Sequence, residues 1–241
     1  MKKILVLLLL LTSSAFGAVS FVQASPVSGG AVASTMSVTF SSSVVPGDQV
    51  CLFLASITPP SPQSVMVTDP TGSVYSLAVS VIRYYGFLGA WCSADALGSL
   101  SVVTATFTTP TIVRGFGIEY SGGSSTFAGL IGSTATLTGA TACGTPSAWG
   151  FTYDACPTSG TTAMVTGPQT IQAGSIVVIF GGGLQGLPTV SSPWTSRASD
   201  AASNIELADQ SFSSLTTSVQ GAMTSPATID KWGLLLVELK D

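Results

Sequence analysis

Apolar and polar residues alternate with a period of two along most of the chain. Residues 36–41 place Met36, Val38 and Phe40 on one side of an extended segment and three hydroxyl residues on the other. Residues 77–81 and 103–107 repeat this alternation. The pattern is typical of β-strands that cover a hydrophobic core with one face and meet solvent with the other.

Three segments are apolar on both faces. Residues 50–54 and 176–180 are continuous apolar runs, one in each half of the chain, and residues 231–240 are nearly so. A strand reads this way when it lies in a central position and is covered on both sides. We therefore expect these three segments to be central strands.

Turn sequences such as Pro46-Gly47-Asp48 and Asp69-Pro70-Thr71-Gly72 separate the apolar runs. Short strands at turn spacings of about ten residues predict an all-β protein, namely an antiparallel β-sandwich of jelly-roll type. We expect roughly a dozen or more strands, and disulfide bonds. No segment has convincing helical periodicity, and no clear internal repeat is visible.

The N-terminus predicts a secretory signal peptide over residues 1–17. Lys2 and Lys3 precede a short apolar run, and small residues precede an expected cleavage between Gly17 and Ala18. The protein is thus predicted to be secreted, in the extracellular space or at the cell surface, with the periplasm as an alternative. Residues 18–241 are predicted to form a single β-sandwich domain. The alternative is two small sandwiches divided near residues 121–126.

Charge and composition exclude several functions. The chain has seven Lys and Arg, eleven Asp and Glu, and no His. Without the two leader lysines, five cations face eleven anions (7 − 2 = 5; 5 − 11 = −6). This balance argues against binding to nucleic acid or to anionic membrane. The absence of histidine removes the usual base of a serine or cysteine hydrolase.

Four cysteines follow the predicted leader, and an even number in an exported chain indicates disulfide bonds. Four cysteines allow three pairings. We favour Cys51–Cys92 and Cys143–Cys156. A zinc site is not expected, because the spacings do not supply the close ligand pairs that zinc requires.

Several short motifs occur in a fixed order along the chain. They are residues 19–23 (VSFVQ), 37–40 (SVTF), 45–48 (VPGD), 67–75 (VTDPTGSVY), 118–122 (IEYSG) and 193–197 (PWTSR). The order resembles a group of secreted bacterial β-sandwich modules, of Ig-like or jelly-roll type, found in uncharacterised extracellular proteins. The resemblance covers most of residues 19–240. It implies the fold and the compartment and implies no activity.

One segment departs from that pattern, between Cys143 and Cys156. Trp149, Phe151 and Tyr153 are spaced by two, so an extended segment points all three rings the same way. A flat aromatic platform of this kind stacks on sugar rings or anchors a partner protein. The neighbouring Asp154 can accept a hydrogen bond. The alternative is that the rings cover one end of the core.

Other chemical motifs are weak. The glycine pattern at residues 181–186 is followed by proline rather than by a helix, so no nucleotide cofactor is predicted. No Asp-rich loop predicts a metal site. Paired carboxylates can hydrolyse glycosidic bonds, but we expect Glu119 to pair with an arginine such as Arg114. The other candidate acids are Asp95, Asp154, Glu206, Asp209 and Glu238.

Three functions from different classes remain. The first is a non-catalytic extracellular recognition module that binds a polysaccharide or a surface partner through aromatic-bearing loops. The second is a structural subunit of a surface layer, appendage or matrix, for which self-association is expected. The third is a secreted glycoside hydrolase. We favour the first, without enzymatic activity and without a cofactor.

Overall fold

The architecture is taken from a computed structural model. The structure describes residues 18–56, 65–83, 86–136, 141–142, 155–156, 163–183, 186–226 and 232–241. Almost all regular structure in these ranges is β-strand.

The first half of the chain contains seven strands. These are β1 (Ser20–Ala24), β2 (Ser28–Val44), β3 (Gln49–Ser56), β4 (Val65–Thr68), β5 (Ser76–Arg83), β6 (Gly86–Ser93) and β7 (Leu100–Ser121). They form one antiparallel sheet with the order β1-β7-β3-β6-β5. The two longest strands, β2 and β7, pair with each other, and β4 pairs with the first part of β7.

The second half begins with the single helical turn α1 (Phe127–Leu130). Its strands are β8 (Ile131–Thr136), β9 (Thr141–Ala142), β10 (Ala155–Cys156), β11 (Ala163–Val165), β12 (Gln169–Ile171), β13 (Ile176–Gly183), β14 (Thr195–Asp200), β15 (Ile205–Ser211), β16 (Thr216–Val219), β17 (Ala222–Thr224) and β18 (Trp232–Leu239). Five of them form the sheet β14-β15-β13-β18-β8, while β12 pairs with β16 and β11 with β17.

The described residues pack as four β-layers around three hydrophobic cores. The two five-stranded arrays face each other across the central core. The part of β7 that pairs with β2 and β4 covers the outer face of the first array. The pairs β11–β17 and β12–β16 cover the outer face of the second. The predicted all-β antiparallel sandwich is confirmed.

Burial on two faces explains the continuous apolar runs. All eight residues of β3 are buried, and residues 176–180 of β13 are buried too. In β18, Leu234 and Leu236 enter the outer core of the second half, whereas Leu235, Val237 and Leu239 enter the central core. The three predicted central strands are confirmed.

The two halves repeat one strand arrangement, which the expectation of no internal repeat missed. In chain order, β1, β3, β5, β6 and the end of β7 correspond to β8, β13, β14, β15 and β18. A β-bulge interrupts both edge pairings at the same place, between Leu77 and Val79 on β5 and between Ser196 and Ala198 on β14. The repeat lies in pairing and bulges, which different side chains can satisfy, so it leaves little trace in the sequence.

Hydrogen bonds of the turns repeat as well. Gly47 N donates to Ala96 O, and Ala96 N donates to Asp48 O. In the second half, Gly174 N donates to Phe212 O, and Phe212 N donates to Ser175 O. Both glycines have positive φ, 93° and 83°, as this tight turn requires.

The equivalent residues Phe53 and Phe180 touch each other in the central core. Their ring centroids lie 5.7 Å apart. Contact between equivalent residues is what a two-fold axis between two copies produces. The described residues of both halves therefore share one core around this contact.

A disulfide bond joins β3 to β6 within the central core. Cys51 and Cys92 are opposite each other in the strand register, are fully buried, and are bonded at a sulfur–sulfur distance of 2.05 Å. This predicted pairing is confirmed, and a buried disulfide fits an oxidising compartment. Among the described residues, no helix has the length and apolarity needed to cross a membrane.

Candidate functional site: an uncharged cleft between β2 and β7

An open cleft of about 240 Å³ lies where β2 and β7 cover the outer core of the first half. Its lining residues are small, apolar or hydroxyl-bearing: Gly29, Ala31, Ala33, Thr35, Met36, Ser37, Phe107, Thr111 and Val113. None of these residues carries a charge. The cleft is the candidate site that the described residues support.

The cleft exists because the β2–β7 ladder is interrupted. Ala33 pairs with Thr111, but Thr35 already pairs with Thr106, so the four residues 107–110 of β7 have no partner on β2. Pro110 lies in this stretch and has no N–H to donate. The two strands therefore separate and leave a concavity beside the bulge.

Glycine is required on the β2 side of the cleft. Gly29 has φ +92°, and a Cβ placed on it would lie 2.0 Å from the carbonyl oxygen of Val113. The backbone can approach β7 this closely only without a side chain. Any larger residue would push the two strands apart at the cleft.

The floor of the cleft is apolar and its rim carries hydroxyl groups. Met36, Phe107 and Val113 are 6%, 4% and 2% exposed and belong to the outer core. Thr35 and Ser37 are exposed at the rim. Each hydroxyl can donate one hydrogen bond and accept two. The combination suits a neutral ligand that has both an apolar face and polar groups.

The rim continues into a hydroxyl face, which is interrupted by Met66, 58% exposed and opposite Thr106. We use this name for the outward side of β2, β7 and β4, formed by Thr35, Ser37, Thr39, Thr68, Thr104 and Thr106. Ser37 Oγ and Thr104 Oγ1 are hydrogen-bonded at 2.7 Å. Neighbouring strands lie about 4.8 Å apart and alternate residues about 6.7 Å apart, so the face offers regularly spaced polar groups.

Two arginines, Arg114 and Arg197, form ion pairs inside the fold. Arg114 Nη1 bonds Asp200 Oδ2 at 2.8 Å and so joins the two halves. The expected pairing of Glu119 with Arg114 is therefore wrong. Arg197 Nε bonds both carboxylate oxygens of Asp209 at 2.9 Å.

The Arg197–Asp209 pair lies against the first half of the chain. The guanidinium of Arg197 stacks 4.1 Å from the ring centroid of Phe21. The hydroxyl of Tyr120 donates to Asp209 Oδ2 at 3.4 Å. Burial raises the pKa of Asp209, and the charge of Arg197 opposes that rise. The cluster ties the halves together and leaves neither charge free for a ligand.

The candidate catalytic acids are also held in structural contacts. Glu119 accepts from Gln23 Nε2 at 2.6 Å and from Val45 N at 2.8 Å. Glu238 accepts from Gln172 N at 2.6 Å and from Ser133 N at 2.7 Å. Both carboxylates cap backbone groups.

Asp48 does not have the spacing of a glycosidase pair with Glu119. Asp48 is hydrogen-bonded to Glu119, closer than the 5 Å or more at which two acids flank a glycosidic bond. Burial raises the pKa of Glu206, with an opposing hydrogen bond from Ser196. Within the described ranges, no group of three or more His, Cys, Asp or Glu is placed to hold a metal ion.

The binding residues expected from the sequence lie outside the described residues. These are Trp149, Phe151, Tyr153 and Asp154, together with Cys143. Cys156 falls in β10, which pairs with β9. The aromatic platform and the Cys143–Cys156 bond stay predictions.

Sequence reasoning missed the cleft because its walls have no chemical signature. Gly29, Ala31 and Ala33 are read as ordinary small residues of a strand. The available signal was Pro110 within a Thr-rich strand pattern, since proline inside a strand marks an edge or a bulge.

Comparison of the chain with protein-family models, with curated proteins and with solved structures finds no match.

Proposed function

We propose that the protein is a non-catalytic extracellular recognition module that binds a neutral polysaccharide, or a surface partner of similar chemistry. The observation that carries the proposal is the uncharged cleft with an apolar floor and a hydroxyl rim. Sugar rings have apolar C–H faces and hydroxyl edges, and pockets that take such ligands combine an apolar lining with a few polar groups.

The absence of charged residues from the cleft lining favours a neutral ligand. Arg114 and Arg197 already have partners within the fold, as do the buried acids Asp200, Asp209, Glu119 and Glu238. A charged ligand would have to enter the cleft without an opposite charge to compensate its lost hydration. The confirmed disulfide bond supports an extracellular location, since such bonds persist in oxidising compartments.

The predicted aromatic loop belongs to the same proposal as a second contact region. Trp149, Phe151 and Tyr153 would add stacking area to what the cleft offers, and Asp154 would accept a hydrogen bond. Its contribution rests on the sequence alone.

The test is glycan-array screening followed by calorimetric titration of the best neutral ligand. Ala31→Phe fills the cleft from an exposed position, so we expect at least a tenfold loss of affinity, equivalent to about 1.4 kcal/mol. Ala128→Phe, at an exposed position of α1 away from the cleft lining, is the matched control and should bind like the wild type.

Three other outcomes separate the alternatives. Loss of binding in Trp149→Ala but not in Ala31→Phe would move the site to the aromatic loop. Equal binding by all variants would contradict both sites. Release of reducing sugar by the wild type would replace the proposal with the glycoside-hydrolase hypothesis.

A second candidate function is a structural subunit that self-associates. The observation in its favour is a set of exposed aliphatic side chains on and beside the edge strand β5, namely Val74, Leu77 and Leu97, which are 76%, 46% and 60% exposed. Sedimentation velocity over a wide concentration range discriminates the two. Ordered polymers would support the structural role, whereas a monomer at all concentrations supports the recognition module.

A further inference from the structure

In each half of the chain, a glutamate carboxylate accepts a hydrogen bond from a backbone N–H of the turn before the central strand. We call this contact the clamp. Glu119 accepts from Val45 N, and Glu238 accepts from Gln172 N. The two glutamates are 0% and 1% exposed. Each faces the second residue of its central strand in the register, Val50 or Val177. The turns are thus equivalent, and their differences can be compared position by position.

The turns differ at the residue after the glycine. In the first half this residue is Asp48, and in the second half it is Ser175. The Asp48 carboxyl is hydrogen-bonded to Glu119, so a partly exposed acid meets a buried one. Ser175 cannot ionise, so the second turn has no acid at the position equivalent to Asp48, although Asp241 lies against its Gly174.

The pKa of Asp48 is raised to about 6. Burial is the largest cause, followed by the hydrogen bond to Glu119 and by its negative charge. When protonated, the Asp48 carboxyl can donate a hydrogen bond to a Glu119 oxygen, whereas ionisation of Asp48 removes that donor and adds a negative charge at the contact, which costs free energy.

The surroundings offer the pair mostly neutral groups. From β1, the amide of Gln23 donates to Glu119. From β3, the amide of Gln49 donates to the carbonyl of Gly47. The charged residues of the neighbouring segments are Asp95, in the loop that bonds the turn, and Lys240, whose carbonyl accepts from Ser124.

Glu119 also connects the turn to the edge strand β1. Gln23 donates to Glu119 and, through the same amide nitrogen, to the carbonyl of Ser42 on β2 at 3.0 Å. Its amide oxygen accepts from the hydroxyl of Ser42 at 3.0 Å. A change at Glu119 therefore reaches the β2–β3 turn and the strand that begins the fold.

We propose that Asp48 and Glu119 form a pH-responsive latch, which holds the β2–β3 turn and β1 while Asp48 is protonated and loosens both when Asp48 releases its proton to solvent. In the second half, Glu238 makes the equivalent contact, but Ser175 replaces Asp48, so this pH response is not expected there. The proposal does not depend on the proposed function.

The direction in which pH changes the stability follows from the raised pKa of Asp48. A carboxyl whose pKa is higher in the folded than in the unfolded state contributes stability that is complete below the unfolded value, 3.8 for Asp48. That contribution is lost as the pH rises through about 6. The latch is closed in acid and loosened at neutral pH.

The test is amide hydrogen exchange of the full chain at about pH 4.5 and about pH 7.5, expressed as protection factors so that the intrinsic rate is removed. We expect protection of residues 45–49 to fall roughly tenfold at the higher pH, after allowance for the partial exposure of Asp48. Residues 172–176 are the internal control and should keep their protection.

Two variants decide the interpretation. Asp48→Asn keeps the size of the side chain and should abolish the pH dependence at residues 45–49. Ser175→Asp should create one at residues 172–176. Equal protection of residues 45–49 at both pH values in the wild type, or an unchanged pH dependence in Asp48→Asn, would overturn the proposal.

Discussion

The contact between Phe53 and Phe180 predicts that the two halves unfold together. Both rings are fully buried, and replacing either with Leu should cost about 1–2 kcal/mol, between a small methyl deletion and complete truncation. The rings lie 5.7 Å apart at an interplanar angle of 60°. Aromatic pairs in this range contribute about 0.5–1.5 kcal/mol beyond their buried area.

Urea denaturation of a double-mutant cycle measures this coupling. The double variant Phe53→Leu/Phe180→Leu should lose about 1 kcal/mol less than the sum of the two single losses. Met164→Ala, in the outer core of the second half, is the control and should be additive with Phe53→Leu. Additivity of Phe53 with Phe180, or two separate unfolding transitions, would refute a shared core. The prediction of a single domain over residues 18–241 depends on this result.

Three further predictions concern individual contacts. Replacing Cys51 and Cys92 with Ala removes a bridge across 41 residues and should lower the free energy of unfolding by up to about 4 kcal/mol in a urea titration. Arg197→Met leaves the buried Asp209 uncompensated and should cost about 3–5 kcal/mol at neutral pH, with a smaller loss in acid where that carboxyl is protonated. An equal loss at both pH values would contradict this reasoning. Burial alone would raise the pKa of Asp69, but hydrogen bonds within its loop lower it, so its contribution is present above the unfolded pKa of 3.8 and lost as the pH falls. Asp69→Asn should therefore reduce the melting temperature more at neutral pH than at about pH 2.5.

The strands that could be predicted are those whose burial is visible in their own residues. Residues 50–54 and 176–180 are apolar on both faces because a core lies on each side. Alternation in 36–41 likewise identified the inner and outer faces of β2. Disulfide bonding followed from the number of cysteines and the predicted compartment, whereas the strand register shows why Cys51 pairs with Cys92, which it places opposite each other.

The repeat, the bulges and the cleft could not be predicted in the same way. A bulge depends on which residue of a distant strand lies opposite, as when Thr35 pairs with Thr106 rather than with Thr109. The partner of Arg114 was misassigned for a similar reason, since Asp200 is 86 residues away in the chain. Nothing local distinguishes Asp200 from the nearer Glu119 as a partner.

The most direct test of the recognition proposal is NMR chemical-shift mapping of the full chain during titration with a neutral oligosaccharide. Binding at the cleft should produce saturable shifts centred on residues 29–37 and 107–113, which contain its lining residues. These shifts should disappear in Ala31→Phe and persist in Ala128→Phe. Saturable shifts that leave both segments unchanged would contradict the central claim.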